Sequence, residues 1–258
     1  MLVVLGKLEN QGIVETAHRV SQYFSQICRF AVIKGYIEYN IADNLKGALM
    51  KRKVKHLASL TDANDVGGLL RAIDEYKGEY WVVAALKLSP HVFLRPSELR
   101  GAEWCEFNFK KQEWVVPAER MKMKTKHIVP LSDQALRIIL DLKAITHSPQ
   151  YLFPSVRTIT RPMSNNTINA ALRRMGYSNE DMTGHGFRSL ASTLLNEQGV
   201  NSDWIERQLA HAERNKVRAA YNYAQFLPER RKMMQSWSDY LDELRNGNYE
   251  ARIQISRM

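Results

Sequence analysis

Between Glu106 and Leu131 the apolar pattern of this chain changes period. It breaks into Phe107-Asn108-Phe109, Glu113-Trp114-Val115-Val116 and His127-Ile128-Val129-Pro130-Leu131, short runs separated by charged turns. Runs of that length and composition read as strands. On either side the spacing is helical. Val14, Ala17, Val20, Phe24, Ile27, Phe30 and Ala31 recur every three or four residues, with Gly35 as a stop. Thr61-Asp62 reads as an N-cap ahead of Val66, Leu69, Leu70 and Ile73, opening a helical region that continues through Trp81 to Leu88. After Ser132 the pattern is helical again, apart from the turn-rich stretch 148–164 and breaks at Gly176, Gly184 and Gly199. The expected fold class is therefore mostly α, an α+β chain with one small antiparallel sheet.

The run Lys51-Arg52-Lys53-Val54-Lys55-His56 has no apolar period and reads as an exposed linker. It divides a thin helical piece, residues 1–57, from a larger domain, residues 58–258. The first piece is below the size at which domains usually stand alone, so the chain is expected to be a fragment, or a late start, of something longer. Apolar stretches such as Trp81 to Leu86 are far shorter than the roughly 18 residues of a membrane span, and no secretory leader pattern opens the chain. Cys28 and Cys105 stand alone, without the paired spacing of a disulfide framework or zinc knuckle, which suits reduced thiols in a cytoplasm. The 37 basic and 27 acidic residues leave a formal charge of +10. Such an excess points to a polyanion, because Lys and Arg contacts to phosphate release counterions. The plainer alternative on charge alone is a basic enzyme with no such partner.

Four separated stretches carry chemistry together. In Leu94-Arg95-Pro96-Ser97-Glu98-Leu99-Arg100, Pro96 and Ser97 start a helix with Arg95 at its head, where both the helix end and the guanidinium favour an anion. Taken alone, Arg95 is an ordinary surface arginine. In Arg120-Met121-Lys122-Met123-Lys124-Thr125-Lys126, three alternate lysines share a direction if the segment is extended. Their plainer role is to blunt a sheet edge. In Thr183-Gly184-His185-Gly186-Phe187-Arg188-Ser189, His185 and Arg188 share a face at a helix start, either as phosphate-handling groups or as a cap with a chance arginine. The fourth stretch runs from Gln208-Leu209-Ala210-His211 to Arg218-Ala219-Ala220-Tyr221-Asn222-Tyr223.

Arg, Lys, His-x-x-Arg, His and Tyr in this order, with the tyrosine ten residues after the last histidine, resemble the tyrosine recombinases of the phage integrase family. The runs around them are similar to integrases of satellite prophages and genomic islands. The resemblance covers nearly the whole chain. It implies a tyrosine-recombinase-like catalytic domain over 58–258 with a C-terminal tail helix, preceded by a partial helical core-binding domain. By the same resemblance Arg95 and Arg188 grip the scissile phosphate, Lys122 is the hairpin lysine, His185 and His211 are the two histidines, and Tyr221 is the nucleophile. Tyr221 carries the family's Ala-Tyr-Asn context, whereas Tyr223 points from a different face of a helix. Glu98 matches a carboxylate that supports the site from behind. One departure is Val92-Phe93-Leu94, where the family often has Thr-Gly, which is expected to alter the local turn. The other is the short N-terminus.

A phenol has a pKa near 10. Its attack on phosphate therefore needs a proton acceptor and donors aimed at the developing charge. The resemblance supplies two arginines and a histidine for the charge, with Lys122 protonating the departing 5′ oxygen and His185 helping the phenol. The reaction implied is site-specific cleavage and rejoining of DNA through a covalent 3′-phosphotyrosine, for prophage or island integration and excision. No metal or cofactor is implied. The acids Glu98, Asp181 and Glu213 lack metal-ligand spacing, so activity in EDTA is expected. The expected partner is double-stranded DNA at attachment sites. Lys51, Arg52, Lys53 and Lys55 would cross its backbone, and Lys124 and Lys126 would add contacts. A homotetramer on DNA follows from the resemblance, with DNA-bending or excision factors as further partners. The apolar stripe Trp237, Tyr240, Leu241 and Leu244 either docks on a neighbouring protomer or packs on its own domain. Two other functions compete: a catalytically incompetent integrase remnant that only binds DNA, and a basic RNA scaffold, which leaves the Arg, Lys, His and Tyr set unexplained.

Overall fold

The computed structural model describes residues 1–45, 47–51, 59–211 and 225–255. The chain separates into two compact units, Met1–His56 and Leu57–Met258. In the first, α1 (Leu2–Asn10) and α2 (Val14–Ile33) are followed by a 3-10 turn at Ile41–Leu45. Helix α1 precedes the expected first helix. Its Gly6 and paired valines are weak helix formers, and most of its apolar side chains stay exposed, so it carries no periodic signal. The core of this unit is small: Leu5, Ala17, Cys28, Ala42 and Leu45.

In the larger unit Asp62 caps α3 (Ala63–Glu75) by accepting hydrogen bonds from the Asn64 and Asp65 amides. The helical region expected to continue to Leu88 is two helices. Tyr76 takes extended backbone after α3, and α4 starts afresh at Tyr80–Val92. After α5 (Pro96–Arg100), strands β1 (Phe107–Asn108), β2 (Glu113–Val116) and β3 (His127–Pro130) form an antiparallel sheet in that order. Trp114 pairs with Phe107 and Val129, and Val116 pairs with His127, so the inward faces of Trp114, Val116 and Val129 enter the core together.

The segment between β2 and β3 is not extended, which corrects the expectation for the alternate lysines. A turn closes from the Lys124 amide to the Met121 carbonyl, with Lys124 at a φ of 52°, so Lys122, Lys124 and Lys126 do not form one aligned row. Further along, α6 (Asp133–Ile145), capped by Ser132, leads to a second sheet that the turn-rich sequence concealed, β4 (Pro154–Ser155) paired with β5 (Thr158–Pro162). Then come α7 (Thr167–Arg174), α8 (Gly186–Glu197), α9 (Ser202–Gln208) and α10 (Leu227–Arg245).

Helix α10 resolves the alternatives for its apolar stripe. Trp237, Tyr240, Leu241 and Leu244 are buried in their own domain, against α3 and α4. Gly67 on α3 is required by this packing, since a β-carbon there would collide with the Leu244 carbonyl and the Tyr249 ring.

Two histidines are sealed into this core. His91 donates or accepts at Nδ1 with Ser238 Oγ at 2.7 Å, and His127 Nε2 lies 3.1 Å from the Gln208 carbonyl. Burial, then the charge of Arg245 for His91 and of Arg230 for His127, pushes both imidazoles down to about 3. Folded and unfolded chains therefore hold both rings neutral above the unfolded value near 6.5. As the pH falls below 6.5 only the unfolded chain takes up these protons, and stability declines by up to about 1.4 kcal/mol per pH unit for each ring. Urea unfolding followed between pH 7.5 and 5 should show this decline with net proton uptake; a flat profile would contradict it.

Candidate active site

Two chain reversals build the site. Helix α4 ends at Phe93, whose φ of 58° lies in the left-handed region, and the chain turns through Leu94 into α5, where Pro96 sets the first helical residue. A Phe in this conformation costs about 1 kcal/mol relative to a glycine. Its buried ring, set edge-on to Trp237 at 5.7 Å, offsets that cost. The Val92-Phe93-Leu94 departure thus keeps a tight turn by using a strained residue. The second reversal follows α9, where Ala210 is left-handed at φ 49°. Both turns rotate carbonyls inward, and those carbonyls hold the arginines.

Arg188, in the first turn of α8 and 4% exposed, donates to the Phe93 carbonyl and, at 2.7 Å, to the Leu209 carbonyl. Its Nη2 also lies 3.0 Å from His211 Nε2. Burial first and the Arg95 charge second pull its guanidinium down to about 10, opposed by Glu98 and Glu206. It remains a cation at neutral pH. Arg95, the N-cap of α5, donates through Nη1 to Glu98 Oε1 at 2.8 Å and reaches the Ala210 carbonyl at 3.4 Å. The second Glu98 oxygen accepts the Arg95 amide at 2.9 Å, so one buried carboxylate both caps α5 and aims the arginine.

His185 is the N-cap of α8. Gly184 before it is pressed against Ile168 and Pro96 and donates its amide to Asn169 Oδ1 at 2.8 Å, which seats the His185 turn beside the start of α5. The half-buried imidazole is held below its ordinary value by burial, then by the charges of Arg188, Arg95, His211 and Lys122. All four cationic or titratable groups therefore act on this one ring, although four separate stretches of the chain supply them. Lys122 itself is exposed. Arg120, two residues earlier, anchors its turn through Glu106 and the Glu98 carbonyl.

His211 lies at the lip of the site, its Nδ1 2.8 Å from Glu206 Oε2. Nothing in the sequence marks Glu206 beyond its position five residues before His211. Arg230 is equally unmarked, and Gln208 stands in the run before His211 with no role attached to it. Gln208 is buried, donates to the Val92 carbonyl at 3.2 Å and accepts from Arg230 at 3.0 and 2.6 Å, joining both reversals to α10. Tyr221, with its neighbour Tyr223, lies outside the described residues, as do Arg52, Lys53 and Lys55. Lys51, Lys124 and Lys126 are exposed. Among the described residues no group of His, Cys, Asp and Glu side chains could hold a metal ion, and no helix is long and apolar enough to cross a membrane.

A helical α+β domain with convergent arginines, histidines and a lysine is equipped to grip an anion. The phage integrase family model matches residues 59–227, and the phage integrase central domain model matches residues 1–48. The chain belongs to the phage integrase family. It is 43% identical over 261 residues to the integrase of Enterobacteria phage P4, covering 95% of this chain and 59% of that protein. It is 39% identical to putative protein IntB of Escherichia coli K12, covering 94% of this chain and 65% of that protein. The chain thus spans about three fifths of the length of these curated relatives. Its fold is similar to that of lambda integrase, solved as a dimer bound to a COC′ core site, with a TM-score of 0.63 at 21% identity over 82% of this chain and 77% of that one.

Proposed function

We propose that this chain acts in site-specific DNA recombination, cleaving and rejoining strands at attachment sites through a 3′-phosphotyrosine formed by Tyr221. The convergence of Arg95, Arg188, Lys122 and His211 on His185 supports this reading most directly. The phenolic oxygen attacks the scissile phosphorus, its proton passing to His185, where burial first and the cationic neighbours second disfavour the charged ring and so favour the neutral, proton-accepting form. Arg95 and Arg188 hold the non-bridging oxygens as charge builds on the phosphorane. The bond to the 5′ oxygen breaks, and Lys122 delivers a proton to that leaving group. Rejoining is the reverse, with a 5′ hydroxyl of another strand displacing the tyrosine. Glu98 keeps Arg95 aimed throughout.

In this reading residues 58–258 form the catalytic domain. Residues 1–57 contribute part of a core-binding domain, and Lys51, Arg52, Lys53, Lys55, Lys124 and Lys126 contact the DNA backbone. Double-stranded attachment sites are the substrate, a homotetramer on DNA is the working assembly, and DNA-bending or excision factors set direction. Integration and excision of a prophage or genomic island is the biological outcome.

The test is a nicked suicide duplex taken from the DNA flanking the chain's own coding locus. The chain should yield a DNA-linked protein band that survives denaturation, persists in EDTA and disappears in Tyr221→Phe but not in Tyr223→Phe. A mobility shift without any linked band would leave the DNA-binding remnant as the correct reading.

A further inference from the structure

We propose that Glu206 is a positioning residue that sets the protonation geometry of His211 and, through it, the orientation of Arg188. The step to catalysis rests on the recombinase reading above; the hold of Glu206 on the ring does not. His211 is tied to Glu206 twice. Its backbone amide donates to the Glu206 carbonyl at 3.1 Å, and its ring Nδ1 lies 2.8 Å from the carboxylate. The first bond closes the turn after α9 and brings the imidazole alongside the carboxylate. The other ring nitrogen, Nε2, lies 3.0 Å from Nη2 of Arg188.

A guanidinium has donors and no acceptor, so Nε2 must offer its lone pair. The ring proton then sits on Nδ1 and points at Glu206, which as a carboxylate only accepts. One tautomer satisfies both ends, and Glu206 selects it. Arg188 in turn spends three of its N–H groups on the Phe93 carbonyl, the Leu209 carbonyl and His211 Nε2. Among the described residues that leaves two of five for a bound anion. Without the carboxylate no other acceptor among the described residues holds the proton on Nδ1, and only the Arg188 contact still favours it. The alternative tautomer would set N–H against N–H and turn the guanidinium. The side chains of Glu206 and His211 are 54% and 42% exposed, so the link works through hydrogen-bond direction more than through Coulomb attraction. This relay makes His211 the acceptor that steadies an arginine.

The experiment has two arms on the full chain. Long-range proton–nitrogen correlation of 15N-labelled protein, in mildly alkaline buffer without DNA, should show His211 protonated at Nδ1 in the wild type and in Glu206→Gln, whose amide oxygen can still accept. In Glu206→Ala that preference should weaken to a mixture of the two tautomers, since only the Arg188 contact is left to favour it. Suicide-duplex cleavage should fall about 10- to 100-fold in Glu206→Ala and recover most of the loss in Glu206→Gln, with DNA affinity and thermal midpoint unchanged. A wild-type ring protonated at Nε2, or an alanine variant with the tautomer and the rate both intact, would overturn the proposal. A wild type that cleaves nothing would instead sink the recombinase reading, while the tautomer arm still decides the link.

Discussion

Replacing Arg188 by lysine is expected to slow suicide-duplex cleavage by about a hundred- to a thousand-fold, the usual cost of one pre-organised donor at a developing oxyanion. Lysine keeps the positive charge, so a role as a mere counter-ion would predict a small effect. What lysine cannot keep is the planar fork. In the native site that fork bridges the Phe93 and Leu209 carbonyls and His211 while still presenting N–H groups outward. The two carbonyls belong to the strained turns after α4 and α9, so the same arginine that would hold phosphate also locks the backbone that shapes the pocket. Two consequences should separate in measurement. The rate loss should appear under saturating DNA, and unfolding should show a further loss of about 1–3 kcal/mol for each carbonyl left without a donor. Cleavage within a few-fold of wild type would contradict the assignment.

Removing the Arg230 guanidinium should cost more stability than any surface change. Arg230 is fully buried at the start of α10. Its partners are Gln208 Oε1, the Ile128 carbonyl at 2.5 Å and the Gln225 carbonyl at 3.3 Å. Burial first and the charge of Arg207 second push its guanidinium down to about 9, so it is still charged at neutral pH and held by neutral acceptors. In Arg230→Ala the buried Gln208 Oε1 and the part-buried Ile128 and Gln225 carbonyls lose their donor and a void opens, for an expected loss of about 3–5 kcal/mol. Arg230→Met refills the volume and should recover about a third to a half of that, the unsatisfied acceptors accounting for the rest. All five tryptophans lie in the larger unit, so urea unfolding followed by fluorescence reports on it directly. A methionine variant as stable as wild type would mean that the bonds merely balance the cost of burying the cation. Cleavage should also fall, because Gln208 and Gln225, one on each side of residues 212–224, are both held by Arg230, and Arg207 reaches Gln225 Oε1 at 3.1 Å. That segment contains Tyr221.

The contrast between α2 and α1 shows what local pattern carries. The recurrence from Val14 to Ala31 marks α2 by its period, although within it only Ala17 is buried and Ile27 and Phe30 stay exposed. Helix α1 has a single buried residue, Leu5, and leaves no repeating trace. The β4–β5 pair is hidden for a similar reason: its five-residue strand is mostly exposed and framed by Pro, Ser and Arg, so its pairing depends on the partner strand. The three-stranded sheet was legible because Trp114, Val116 and Val129 alternate toward a core. At the site, side-chain chemistry made Arg95, Lys122, His185, Arg188 and His211 visible as types in a telling order. Glu206, Gln208 and Arg230 carry no such mark, because a glutamate on a short helix or an arginine in a basic run is ordinary until its neighbours are known.

From its residues alone this chain is determined to be a mostly helical α+β protein with a small antiparallel sheet, a basic break near residue 57 and a set of anion-seeking side chains in a recognisable order. Periodicity, capping and charge are local properties, written every few residues. Only the tertiary structure decided that the stripe on α10 is core, that the lysine segment is a turn, and that Phe93 and Ala210 take left-handed backbone so their neighbourhood's carbonyls face the arginines. Those outcomes depend on groups up to a hundred or more residues apart meeting where water is excluded. There an unsatisfied carbonyl or an unheld guanidinium costs more than any local preference can supply.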